Sequence, residues 1–95
     1  MDLMTRFLHA EIMSQELYEE IYRFIISYHI RNGELEGNEY IIRKMDEKNF
    51  ILYLEYFDKD GNREIHHAIS VYKDQLIKEI QIEAERKGLN LLNEE

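Results

Sequence analysis

The stretch Phe50–Ile69, FILYLEYFDKDGNREIHHAI, decides the fold. Successive side chains of a β-strand point to opposite faces, so Phe50, Leu52, Leu54 and Tyr56 line one side of its first half. Ile51, Tyr53 and Phe57 line the other, interrupted by Glu55. A strand apolar on both faces belongs at the centre of a sheet, with something covering or binding each side. Asp58-Lys59-Asp60-Gly61-Asn62 then carries the Asp-Gly turn signal, and Arg63–Ser70 reads as the returning strand.

If Asp60-Gly61 is the loop, Tyr56 pairs with Ile65, Leu54 with His67 and Leu52 with Ile69. Upstream, Glu39–Met45 reads as a third strand. A tight turn at Glu47-Lys48 sets Met45 opposite Phe50 and Ile41 opposite Leu54. This register gives the meander a core face containing Ile41, Met45, Phe50, Leu52, Leu54, Tyr56, Ile65 and Ile69. The second face carries Tyr40, Ile42, Ile51, Tyr53, Phe57 and Ala68 among Lys44, Glu55, Glu64 and His66. That face is too apolar for ordinary solvent-facing surface. Tyr40, Ile42, Ile51, Tyr53 and Phe57 are the expected protein interface.

Helices flank the meander. Leu17, Ile21, Phe24, Ile25 and Tyr28 follow a helical stripe, with Ser14 as N-cap and Gly33 as the expected C-terminal stop. Leu3, Met4, Phe7, Leu8 and Ile12 form a similar stripe, as a separate short helix or an extension of the next. Gly33–Asn38 reads as a polar loop. Ser70 is placed to cap a last helix carrying Leu76, Ile77, Ile80 and Ala84, ended by Gly88. The expectation is a single α+β domain of order α-β-β-β-α, a three-stranded antiparallel meander packed against N- and C-terminal helices. Residues 1–32 are helical in this reading, 39–70 form the sheet, 71–88 the second helix and 89–95 a tail.

Composition narrows the function. The 95 residues suit one core, and the absence of cysteine excludes disulfides, thiolate metal sites and a cysteine nucleophile. The formal net charge of −8 disfavours direct binding to a phosphate backbone or an anionic membrane. No apolar run approaches the ~20 residues that span a bilayer. No signal-peptide pattern appears, and the expected localisation is cytoplasmic.

Motifs for chemistry are absent. Asp58–Asn62 resembles the start of a calcium loop, but Arg63 stands where that loop needs glycine and Ile69 where it needs glutamate. His66 and His67, adjacent on a strand, point to opposite faces and cannot share one ion without a bulge; His66 is expected opposite Glu55. There is no phosphate loop or nucleophile elbow. No catalytic, cofactor or metal residue is therefore assigned.

The leading expectation is a non-enzymatic module that binds a protein target or a second copy through Tyr40, Ile42, Ile51, Tyr53 and Phe57. Small inhibitors, immunity proteins and anti-defence factors of the anti-CRISPR kind share this format. One alternative is nucleic-acid mimicry, with Glu16, Glu19, Glu20, Glu34, Glu36 and Glu39 occupying a basic groove. Another is a small enzyme or ligand-binding domain with a pocket of clustered His and Glu.

Overall fold

Two capping side chains divide the N-terminal helical region. The computed structural model describes residues 2–93, apart from the side chains at positions 66 and 67. The carboxylate of Asp2 accepts the N–H of Thr5 at 2.8 Å and starts α1 (Leu3–Glu11). Ser14 Oγ accepts the N–H of Leu17 at 3.2 Å and starts α2 (Gln15–Ile26). Each bond satisfies a donor that the first helical turn leaves without an intrahelical partner. The two stripes are thus separate helices.

α2 stops at Ile26, well before Gly33. Its end is held from the sheet instead: Lys44 Nζ donates to the carbonyls of Ile25 at 3.3 Å and Ser27 at 2.8 Å. A cation there complements both the free carbonyls and the negative end of the helix dipole.

The sheet is an antiparallel meander of four strands in the order β1-β2-β3-β4: β1 (Gly33–Glu36), β2 (Tyr40–Lys44), β3 (Asn49–Phe57) and β4 (Arg63–Tyr72). The α+β class, the antiparallel meander and the packing against helices agree with the sequence. The strand count does not, because Gly33–Glu36 pairs with β2 rather than forming a loop. Its charged composition suits an edge strand, which needs only one neighbour.

Two registers also differ from expectation. Lys44, not Met45, lies opposite Phe50, and Tyr40 lies opposite Leu54. The turn is longer than Glu47-Lys48: the Asp46 carboxylate accepts the N–H groups of Lys48 and Asn49 at 2.8 and 2.9 Å, and Met45 N–H bonds Asn49 O at 2.9 Å. That single-residue slip turns every side chain of β2 to the other face. In the β3–β4 hairpin, Asp58 accepts the N–H groups of Asp60 and Asn62 at 2.9 and 2.8 Å and holds open a loop from Asp58 to Asn62. Phe57 therefore pairs with Arg63, Glu55 with Ile65 and Leu54 with His66. A β-bulge sets His67 and Ala68 together opposite Tyr53, after which Leu52 meets Ile69 as expected.

α3 (Lys73–Arg86) begins directly after β4, so Ser70 is a strand residue and not a cap. At its end Gly88 adopts φ +75°, with Gly88 N–H bonded to Glu85 O and Leu89 N–H to Ala84 O. This is the glycine-dependent stop read from the sequence. The chain then folds back: Leu92 N–H donates to Tyr18 Oη at 2.9 Å, and the Gln15 side chain bonds the backbone of Asn90 in both directions.

All three helices bury their stripes on one face of the sheet. Phe7, Ile12, Tyr18, Ile25, Leu76 and Ile80 meet Tyr40, Ile42, Phe50, Leu52 and Val71 in one cluster. Each fully buried large apolar side chain contributes about 1.5–3 kcal/mol relative to exposure. No helix residue in this cluster meets an apolar residue of the opposite sheet face.

Candidate interaction surface

β3 has the two unlike faces its sequence implies. Phe50 and Leu52 point into the helices and are buried. Ile51, Tyr53 and Phe57 point to the helix-free face. Tyr40 and Ile42 do not join them: the slip of β2 places both in the core, where Tyr40 packs edge-on against Phe7 at 5.8 Å. Ile41 takes their place beside Tyr53. Ile65, expected in the core, is 51% exposed on the open face, near Phe57 at 66%.

Tyr53 is buried without a helix over it, at 1% exposure. Its side chain spans β2, and its hydroxyl donates to a Glu34 carboxylate oxygen on β1. Arg63 reaches in from β4: its guanidinium donates to Tyr53 Oη and, at 3.0 Å, to Glu34, and pairs with Glu55. The guanidinium carbon sits 5.6 Å from the Tyr53 ring centroid, in cation–π range. One arginine thus cross-links β4, β3 and β1 through a tyrosine and two carboxylates. Burial, reinforced by the Glu34 hydrogen bond, pushes the Tyr53 hydroxyl up to about 12. The hydroxyl bond from Tyr53, with Arg63 assisting against burial, holds the Glu34 carboxyl below its ordinary value. Glu34 stays charged and Tyr53 neutral across the physiological range, so the cluster is a fixed polar patch and a poor proton relay.

The acidic residues named from the sequence are only partly brought together. Glu20 and Glu36 line one small cleft of about 190 Å³ with Leu17 and Leu35. Glu16 and Glu39 are exposed, whereas Glu19 is bonded to Gln15 and Arg23, and Glu34 belongs to the Tyr53 cluster.

Sequence reasoning missed Glu11. It is fully buried at the end of α1, and its carboxylate accepts the backbone N–H groups of Asn38, Glu39 and Tyr40 at 2.6, 2.7 and 2.9 Å. A Cβ on Gly37 would overlap this carboxylate, so only glycine fits there. The sole sequence signal was a glutamate on an otherwise apolar helix face, with a glycine far along the chain.

Among the described residues no three His, Cys, Asp or Glu side chains are grouped to hold a metal, and no helix is long and apolar enough to cross a membrane. The side chains of His66 and His67 lie outside the described set; by backbone register Ile65, not His66, stands opposite Glu55. Comparison with protein-family models, curated proteins and solved structures returned no match.

Proposed function

We propose that this protein is a non-enzymatic, cytoplasmic interaction module that binds a protein target through the helix-free face of its sheet. Ile51, Tyr53 and Phe57 belong to the binding surface, joined by Ile65. Tyr40 and Ile42 act through the core and are not part of it. The observation that carries the reading is the exposure of Phe57 and Ile65 beside a tyrosine already locked in place. Large apolar side chains next to a pre-ordered aromatic and arginine resemble the centre of a binding surface, where little side-chain freedom remains to be lost. A small inhibitor or accessory protein, including the anti-defence kind, works in this way.

The test is affinity capture from the native host with the unaltered chain and with a Phe57→Glu/Ile65→Glu variant of unchanged circular dichroism. A partner retained by the first and lost by the second supports the reading. Identical partners in both captures overturn it. Nucleic-acid mimicry predicts a complex that high salt dissolves steeply, whereas the apolar surface holds its partner with little response to salt.

A further inference from the structure

The two edges of the sheet are built differently. β1 closes one edge with four residues, two of them glutamates, which is how proteins discourage strand addition. β4 forms the other edge with ten residues and, among the described residues, no strand beyond it. Arg63, Glu64, Ile65, Ala68, Ser70 and Tyr72 along it are all exposed. No acidic residue occurs between Ile65 and Lys73, although the chain as a whole carries −8. Self-repulsion between two copies is therefore weak along this strand. A long, uncovered edge whose charges are confined to its first two residues, one of each sign, is a template for another strand.

We propose that β4 pairs with β4 of a second copy, antiparallel about a two-fold axis at the His67–Ala68 bulge, joining two meanders into one continuous sheet. Paired residues in a sheet must share a face, and the bulge makes this possible over the whole strand. Arg63 and Ile65 lie on the open face through their pairing with Phe57 and Glu55; Ser70 and Tyr72 lie on it through Ile51 and Asn49. Residues on the two halves of β4 differ by odd numbers, so an unbroken strand could not match them. With the bulge at the axis, Arg63 meets Tyr72 of the second copy, Glu64 meets Val71 and Ile65 meets Ser70. No like charges face each other, and Ile65 gains a partner. The bulge, which would otherwise interrupt strand addition, falls where the two ladders divide. This dimer adds a second site to the proposed interaction module and does not depend on the open face binding a target. It would unite two such faces into one surface.

Sedimentation equilibrium of the unaltered chain should give twice 11.6 kDa, with the dimer strengthened by salt because each copy is acidic. Absence of native cysteine permits a direct register test. On mild oxidation an Ile65→Cys/Ser70→Cys variant should form a covalent dimer, because each cysteine meets its counterpart across the axis. An Ile65→Cys/Tyr72→Cys variant should not, and Ile65→Lys should sediment as a monomer with unchanged circular dichroism. A chain that stays monomeric at every concentration overturns the proposal. So does equal cross-linking of both cysteine variants, or a dimer abolished by Phe57→Glu but not by Ile65→Lys. Target capture unchanged by Phe57→Glu, with the β4 dimer intact, would refute the open-face reading alone.

Discussion

The β1–β2 and β3–β4 turns lie at the same end of one sheet and are held by opposite strategies. The first is held from a distance: Glu11, buried on a helix 26 residues before Gly37, lends its carboxylate to three backbone donors. The second holds itself, with Asp58 bonding the N–H groups of its own loop in full exposure. The hairpin tip beyond Leu54, clear of the helices, is where Tyr56, Phe57 and Ile65 are exposed. The difference teaches that stability concentrates where the helices reach the sheet, and that the overhang leaves large apolar side chains exposed.

The strongest way to break this comparison is to remove the distant latch. Glu11→Ala should cost about 3–5 kcal/mol in denaturant unfolding, because it strands buried backbone donors as well as losing charge-assisted bonds. Gly37→Ala should approach the same loss, since the carboxylate must move away from its donors. If either variant unfolds at the wild-type midpoint, the latch is not a major support.

The Tyr53 cluster should fall in between. Tyr53→Phe removes the hydroxyl from Glu34 and Arg63 and should cost about 1–2 kcal/mol, discounted for the partly exposed partners. Its pH dependence has a definite sign. Because folding raises this hydroxyl from 10.0 to about 12, its contribution is complete below pH 10 and fades as pH rises toward 12. Ultraviolet titration of the native protein should show one tyrosine ionising near 12, absent from Tyr53→Phe.

Asp58→Ala should lower the melting temperature less than either. Its carboxyl is held below 3.8 chiefly by the Asn62 N–H, so its contribution is present above that value and is lost as pH falls through the folded-state value. Thermal melts of the variant and wild type should converge in strong acid. The smallest effect on stability belongs to Phe57→Ser, which should leave the unfolding midpoint unchanged while weakening target capture. A clear loss of stability there would mean that the tip is structural.

The contrast between the turns also explains what the sequence disclosed. Local signals were legible: the alternating faces of β3, the Ser14 cap, the Gly88 stop and a turn between Asp58 and Asn62. The register of β2 was not, because the carboxylate of Asp46 lengthens a turn that composition alone makes look tight. β1 hid behind Glu34 and Glu36, residues that suit an edge strand and a loop equally. Ile65 was misplaced because its face depends on loop length, and the compensating bulge leaves no mark in composition. Of the expected surface, Ile51, Tyr53 and Phe57 share the open face, while Tyr40 and Ile42 were lost to the one-residue slip in β2. The Glu11 latch needed knowledge of which distant turn the end of α1 would meet.

The bulge at His67–Ala68 works as a phase switch in the hairpin. On its C-terminal side Ile69 and Val71 are in step with the core; on its N-terminal side Arg63 and Ile65 are in step with the open face. Deleting a single codon at Ala68 would leave the amino-acid composition almost intact. It would remove the bulge and leave His67 alone opposite Tyr53, with Arg63 and Ile65 still on the open face and Ile69 and Val71 still in the core. In evolutionary terms, the strand could lose this residue and keep both of its faces.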